Sequence, residues 1–430
     1  MNTFEQTYTN QTLNMRIRIP EEAAWILQVL HTHGYEAYVV GGCVRDVLLG
    51  RTPGDWDITT SALPQEVKAL FPHTVDTGIQ HGTVMVLRNG CGYEVTTYRI
   101  DGAYEDGRHP KNVTFTRSLE EDLKRRDFTI NALAWGEDGL IDLFHGVDDL
   151  ARGVIRCVGN PDLRFGEDAL RIMRAVRFSA QLGFQIEEET GQMIRRHAPR
   201  LGDISMERIR TEWEKTLLSG HPTYVDLYRD YGIAPFIVNP GYEKCFSGES
   251  DELLTELHIR RRLPGSELSG DDNLYRGLMI AAFLWNLSDE EADQALRYLK
   301  YDNRTRRMVV RILRYREEPV TTDRVKIKQS MNRMGQEIWK ALLILKDARG
   351  NEENCRAAEA VTRDILESGE PWTIGQLAVN GSDLMKAGIP AGKKLGEILE
   401  KILQKVMQSP TLNEKDILCR YAAELLLEVK

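Results

Sequence analysis

Hydrophobic positions recur along the chain in two rhythms. Up to about residue 160 they come in short stretches. Tyr38-Val39-Val40, Thr83-Val84-Met85-Val86-Leu87 and Tyr93-Glu94-Val95-Thr96-Thr97-Tyr98 predict strands, bounded by Gly34, Gly41-Gly42, Gly82 and Gly90. Glu21 to His33 has helical periodicity and stops at Gly34, and Pro64 to Phe71 predicts a second short helix with proline near its start. From Asn160-Pro161 onward the period is helical almost to the end. Asn160 is placed to cap, Pro161 to take the first helical position, and one amphipathic run follows to about Gln181. Further helices are predicted at 187–198, 205–219, 273–286, 288–300, 302–316, 333–347, 353–367, 382–388 and 394–407. Glycine- and aspartate-rich stretches at 240–251 and 264–273 predict loops.

The fold class is therefore α+β: a mixed α/β head followed by an elongated all-α remainder. A length of 430 residues sets a prior of about three domains. Hydrophobic residues at 42% and charged residues at 28% fit a folded soluble protein. Net charge is −9, which excludes a uniformly basic nucleic-acid coat and sends the search to local basic surfaces. No apolar run approaches the ~20 residues that span a bilayer, so no membrane partner is expected. The first residues lack a basic and an apolar region, and no signal peptide is expected. Cys43, Cys91, Cys157, Cys245, Cys355 and Cys419 are far apart with no CxxC pair, which points to reduced, cytoplasmic thiols.

The segment from Val40 to Ile58 carries the first chemistry. Gly41-Gly42 follows a predicted strand and precedes a short helix starting near Val44, so backbone N–H groups and the helix dipole can meet an anion. Arg45 adds positive charge at the same end. Asp55-Trp56-Asp57 follows about a dozen residues later. On a strand, residues i and i+2 share a face, so Asp55 and Asp57 would stand side by side, with Trp56 and Ile58 packing behind. Two such carboxylates call for a cation, and Mg²⁺ takes carboxylate oxygens while leaving positions for phosphates and water. Pro53-Gly54-Asp55 is also turn chemistry, so a solvated turn is the plainer reading of that tripeptide alone.

Gly41-Gly-x-Val-Arg-Asp-x-Leu-Leu-Gly, followed by Gly54-Asp-x-Asp-Ile, resembles the signature of the polymerase-β-type nucleotidyltransferases. More narrowly it resembles the bacterial class II tRNA nucleotidyltransferases that add CCA, within the tRNA nucleotidyltransferase/poly(A) polymerase family. Arg125-Arg-Asp-Phe-Thr-Ile-Asn-Ala is similar to that family's second motif, which implies that Arg126 contacts the nucleotide. Gly166-Glu-Asp-Ala-Leu-Arg-Ile-Met-Arg-Ala-Val-Arg-Phe is similar to its base-selecting helix. The likeness is close over roughly residues 36–215, and the order and spacing of three motifs carry it. It implies a catalytic head at 1–158, a neck with the base-selecting helix at 159–220, a body at 221–335 and a tRNA-binding tail at 336–430.

The third motif also has a physical reading of its own. Asp168 and Arg171, three apart, are neighbours on one helix face, where an ordinary ion pair is worth only about 0.2–0.5 kcal/mol. Arg164, Arg171, Arg174 and Arg177 wind around the helix, so some of them must face the head. An aspartate–arginine pair serves both cytosine and adenine: the carboxylate accepts from the exocyclic amine and the guanidinium donates to the ring acceptor beside it. Uracil and guanine present a carbonyl at that place. The resemblance gives this role to Asp168 and Arg171, with Glu167 in support and Arg174 and Arg177 near the nucleotide.

Glu94 is a candidate third carboxylate, and a salt-bridged strand residue is the equal alternative. Asp127 and Asn131 are expected to shape the site. The glycine- and charge-rich segment 101–117 is expected to be mobile, and the resemblance implies a loop there that helps switch from C to A addition. Six arginines between Arg304 and Arg316, with no acid among them, suggest either a solvated helix face or an RNA phosphate contact. Lys393-Lys394 is a second candidate contact.

The resulting expectation is a Mg²⁺-dependent transferase that adds CCA to tRNA from CTP and ATP and releases pyrophosphate. Asp55 and Asp57 are its metal ligands and catalytic residues. Gly42, Arg45 and Arg126 hold the triphosphate, and Asp168, Arg171, Arg174 and Arg177 complete the nucleotide site. An A-adding enzyme, a poly(A) polymerase and an RNA-binding protein with a relic head remain as alternatives. The sequence leaves the oligomeric state as monomer or homodimer.

Overall fold

The computed structural model describes residues 17–102, 113–239, 241–246, 248–263, 266 and 268–428. Two compact units divide the chain: Met1–Tyr242 with Tyr298–Lys300, and Glu243–Arg297 with Tyr301–Lys430.

The first unit opens with α1 (Glu21–Thr32), which ends before Gly34 at φ 82°, then β1 (Ala37–Val40), α2 (Gly42–Leu48), β2 (Ile58–Thr60) and α3 (Pro64–Leu70). It continues through β3 (Thr74–Gly78), β4 (Thr83–Arg88), β5 (Cys91–Thr97), β6 (Arg99–Asp101), β7 (Val113–Phe115), α4 (Leu119–Lys124), β8 (Leu133–Gly136) and β9 (Gly139–Asp142). The seven-stranded sheet runs β3-β4-β5-β2-β1-β8-β9. β1 is antiparallel to both neighbours, with Val39 opposite Ile58 on one side and Trp135 on the other, while β2 and β5 run parallel. Beneath the site, Val40, Leu123, Ala132, Ala134 and Val158 form one buried cluster. Their burial fixes the glycine turn after β1, the arginines after α4 and the start of β8 to one another.

The unit closes with α5 (Gly146–Arg152), β10 (Val154–Ile155), α6 (Pro161–Glu167), α7 (Leu170–Leu182), β11 (Gln185–Ile186), α8 (Glu188–His197), α9 (Met206–Leu217) and α10 (Asp226–Asp230). Asn160 caps α6 as expected, its side chain accepting from the N–H groups of Asp162 and Leu163. The single helix expected from Pro161 to Gln181 is instead two, because Asp168 adopts φ −136° and ψ 107°.

The second unit is helical: α11 (Tyr242–Cys245), α12 (Gly248–Arg261), α13 (Asp272–Phe283), α14 (Asp289–Tyr298), α15 (Asn303–Arg314), α16 (Arg324–Met334), α17 (Gln336–Ala348), α18 (Glu352–Glu367), α19 (Gly381–Lys386), α20 (Lys393–Gln408) and α21 (Lys415–Glu428). The loop expected at 240–251 is corrected by α11 and the first turn of α12. Glycine and acids read there as breakers are a helix start, with Glu249 and Asp251 in the first turn of α12 beside its positive dipole end. Most of 101–117 lies outside the described residues. No described helix is long and apolar enough to cross a membrane. None of the six cysteines, all among the described residues, is in a disulfide.

Candidate active site

Gly41 turns the chain out of β1 with φ 82° and ψ −127°, a conformation that disfavours any side chain, and its N–H donates to the Leu133 carbonyl over 2.9 Å. A Cβ at Gly41 would stand 3.0 Å from Arg126 Nη1, so the bare turn and that guanidinium occupy one place. Helix α2 starts directly at Gly42.

Asp55 and Asp57 lie outside any strand, since β2 begins at Ile58, and this corrects their expected placement on it. Asp57 still joins the middle of the sheet, just before β2, because its carbonyl accepts the Val40 N–H over 3.0 Å. That bond sets Asp57 beside the glycine turn. Ile58 is level with Val95 in the parallel β2–β5 pair, so Asp57, one residue before β2, comes level with Glu94 in the middle of β5. Burial first, then the negative charges of Asp55 and Glu94, push the Asp57 acid up to about 6, against the opposing pull of Arg126. A half-buried carboxylate facing two like charges is stabilised in its charged form by a cation, so this donor set fits a hard divalent ion. Among the described residues no three His, Cys, Asp or Glu side chains gather tightly enough to hold a metal by themselves. An ion here would complete its shell with substrate oxygens and water.

Arg45 turns inward. It is buried, with Nη1 donating to Asn131 Oδ1 over 2.7 Å and Nε to Asp46 Oδ1 over 2.8 Å, and it lies 5.2 Å from the Phe178 ring centre. Asn131 Nδ2 donates to Asp127 Oδ1 over 3.2 Å, and Arg174 Nε donates to Asp127 Oδ2 over 2.7 Å. A continuous polar chain thus runs from α2 to α7. Against the upward push of burial, the charge and hydrogen bond of Arg174 hold the Asp127 acid far below the usual carboxylate range.

Arg126 approaches buried Asp122 at 3.5 Å, and Asp122 also accepts from Arg125 Nη2 over 2.7 Å and from the Thr59 hydroxyl over 3.0 Å. Asp122 therefore anchors both arginines to β2, the strand that follows Asp57. Sequence reasoning missed it. Its signal was an acid at spacings of three and four from two arginines on a short helix.

The arginines of the third motif do face the head. Arg164 Nη1 donates to the Lys124 carbonyl over 3.3 Å, Arg171 Nη2 to that of Arg125 over 2.9 Å, and Arg174 meets Asp127. Arg177 pairs with Glu212 at 2.9 Å, both buried, and stacks on Phe178 at 4.2 Å. The ordinary intrahelical ion pair, the plainer alternative for Asp168 and Arg171, is not formed. The break between α6 and α7 removes Asp168 from the helix face, and Arg171 Nη1 instead meets Glu167 Oε2 at 2.6 Å. Asp168 Oδ1 accepts the Leu170 N–H over 2.9 Å, and its Oδ2 lies 3.3 Å from Arg208 Nη2.

Together these groups enclose a cavity of about 290 Å³, lined by Arg125, Arg126, Arg171, Arg174 and Arg208 and by the carboxylates of Asp127 and Asp168. Five guanidinium groups against two carboxylates make a site for a polyanion carrying a planar hydrogen-bonding group. Arg126 lines this cavity and also acts electrostatically on Asp57, so one residue belongs to both halves of the site.

The arginine-rich run of the second unit is more committed than its charge suggested. Arg306 pairs with Asp293 and Arg314 with Asp289, while Arg311 and Arg316 donate to the carbonyls of Met334 and Leu287. Among the described residues, only Arg304 and Arg307 of that run have no side-chain hydrogen bond or ion pair within the chain. Lys393 is exposed and 3.8 Å from Glu397.

Known proteins match most of the chain. Family profiles match at 37–156 ("Poly A polymerase head domain"), 183–245 ("Probable RNA and SrmB- binding site of polymerase A") and 276–422 ("tRNA nucleotidyltransferase domain 2 putative"). The CCA-adding enzyme of Leuconostoc mesenteroides is 60% identical over 205 residues, 47% of this chain and 51% of that protein, so the chain spans about half the length of such relatives. Over nearly the whole chain, the CCA-adding enzyme of Limosilactobacillus fermentum is 39% identical, covering 94% of this chain and 97% of its own. Among solved structures, the Bacillus stearothermophilus CCA-adding enzyme in complex with CTP superposes with a TM-score of 0.76 at 37% identity, over 95% of this chain and 98% of that one. With that identity over 94% of its length, the chain belongs to the CCA-adding enzyme family of nucleotidyltransferases.

Proposed function

We propose that this protein adds CCA to the 3′ end of tRNA from CTP and ATP, without a nucleic-acid template, releasing pyrophosphate. The observation that carries the reading is Arg126. It lies against the glycine turn, acts on Asp57 and lines the cavity that contains Asp168, so it joins a transfer half to a base-reading half. Relatives aligned over most of the chain are CCA-adding enzymes, and solved relatives carry CTP, ATP or tRNA, which supports these substrates.

Asp55 and Asp57 would hold Mg²⁺, which supplies Lewis acidity toward the α-phosphate and neutralises the departing pyrophosphate. The chain's own residues do the rest. Gly42 offers its backbone N–H at the start of α2, and Arg126 faces the triphosphate. Arg45, bound to Asn131, keeps α2 in register. Arg171 and Arg174 line the nucleotide cavity, Arg177 braces α7 behind it through Glu212, and Asp168 accepts from the exocyclic amine that cytosine and adenine share. On this reading the head at 1–158 performs transfer, the neck at 159–220 reads the base, and the body at 221–335 and tail at 336–430 hold tRNA. The enzyme works in the cytoplasm as a monomer or homodimer.

The test is to incubate the pure protein with Mg²⁺ and tRNA ending at the discriminator base, supplying CTP, ATP or both. Two additions from CTP, then one from ATP and a stop, are expected. Addition of A only to a CC end would make it an A-adding enzyme, and an A ladder on any RNA a poly(A) polymerase. No extension, with tRNA still bound, would mean a relic head.

A further inference from the structure

We infer that Arg208 is a positioning residue for base selection, holding the Asp168 carboxylate in the orientation that tells an exocyclic amine from a carbonyl. The inference rests on the base-reading role proposed for Asp168.

Asp168 sits in the break between α6 and α7, in extended backbone, so no helical rotamer preference fixes its side chain. Two bonds do. The Leu170 N–H holds Oδ1 at 2.9 Å, and Arg208 Nη2 stands 3.3 Å from Oδ2. The other cavity arginines close to α7 are engaged elsewhere: Arg171 with Glu167 and the carbonyls of Arg164 and Arg125, and Arg174 with Asp127. Arg174 acts on Asp168 through its charge, and Arg208 is the cation in direct contact with its carboxylate. The two side chains are only 20% and 16% exposed, so their bond is charge-assisted in a partly desolvated setting.

Arg208 comes from α9, and one turn further Glu212 on the same helix receives Arg177. One helix therefore braces both Asp168 and the middle of α7. Discrimination against uracil and guanine requires a carboxylate oxygen to face their carbonyl, acceptor against acceptor, at a fixed place. A carboxylate free to rotate would swing toward the neighbouring arginines and lose that opposition. Arg208 prevents this, and each Asp168 oxygen keeps a lone pair for the base amine.

The experiment measures kcat/KM for CTP, ATP and UTP on tRNA lacking CCA, for the parent, R208M, R208Q, R208K, D168A and R208M/D168A. R208M is expected to lower the CTP-to-UTP ratio by about 10- to 100-fold, the range for losing one hydrogen bond to a charged group. The loss should fall mainly on KM for CTP and ATP. R208Q should lie between R208M and the parent, and R208K should recover most of the ratio. The ratio of R208M/D168A should equal that of D168A, because Arg208 acts through Asp168. An unchanged ratio in R208M, equal losses for CTP and UTP, or additive losses in the double variant would overturn the inference. Thermal unfolding is followed in parallel, and if R208M does not fold, R208Q is read on the same ratio. A parent with no preference for CTP over UTP, or a D168A enzyme as selective as the parent, would instead sink the base-reading role itself.

Discussion

Arg174 on α7 meets Asp127 of the second motif with two of its nitrogens, Nε at 2.7 Å and Nη2 at 2.5 Å from the same Oδ2. This pair pins the base-reading segment to the head across 47 residues of sequence. Asp127 is buried, so removing its charge strands a guanidinium in a cavity already crowded with cations. D127N is expected to lower stability by on the order of 3 kcal/mol. In urea titrations, D127N/R174M should lose less than the sum of the two single variants. Additive losses would mean that the two groups do not depend on each other.

The pieces of this site that were legible in the sequence are local ones. The Gly41-Gly42 turn, the Asp55/Asp57 pair and the inward arginines each follow from spacing within one short segment. What stayed hidden depends on tertiary juxtaposition. Arg45 finds Asn131 86 residues away and Asp168 finds Arg208 40 residues away, distances at which no helical or strand period speaks. The break at Asp168 was masked because hydrophobic positions keep nearly the same phase on both sides of it. Gly166, a weak helix former, was its visible sign. In the second unit, α12, α16 and α21 were missed: lysine and arginine interrupt the apolar stripe of α16, where even Lys328 is buried.

Replacing Asp55 and Asp57 by Asn tests the transfer half. Each oxygen set loses its charge while size is preserved, so the fold should be kept and the electrostatic pull on a divalent ion removed. Transfer to tRNA should fall by at least ~10³-fold, several kcal/mol of lost charge stabilisation. Binding of tRNA, followed by filter retention or anisotropy, should stay within a few-fold of the parent. Transfer at the parent rate in the double variant would refute the metal assignment.

Gly41 and Gly42 are adjacent but differ in what they tolerate. G41A places a side chain at φ 82° and 3.0 Å from Arg126 Nη1, so it carries backbone strain of about 1–2 kcal/mol and displaces the arginine. G42A meets its nearest group, Arg45 Nη2, at an ordinary 3.7 Å and is expected to fold as the parent does. G41A should therefore lower the unfolding midpoint and raise the KM for both nucleotides. In G42A only the nucleotide KM should move, through closer packing at the phosphate approach. Equal unfolding midpoints for the two variants would contradict the turn geometry.

Lys328 gives the second unit a pH signature. Its side chain is 1% exposed, and Nζ donates to the Met407 carbonyl near the end of α20 over 2.9 Å and also pairs with Glu370. Arg324 Nε reaches the two Glu370 oxygens at 2.9 and 3.1 Å. The hydrogen bonds from Arg324 foremost, then those from Lys328, bring the Glu370 acid down to about 2 from its ordinary 4.5. A carboxyl depressed on folding contributes stability that is complete above its unfolded pKa and is lost as pH falls toward the folded one. The stability gap between parent and E370Q should therefore be full at pH 7, begin to close near pH 4.5 and be much smaller at pH 3. At pH 7 it should be on the order of 3 kcal/mol, because the variant leaves a buried ammonium without its counter-charge. Urea midpoints at the three pH values decide the matter. A gap that is constant with pH, or that widens on acidification, would show that Glu370 does not carry its charge into this contact.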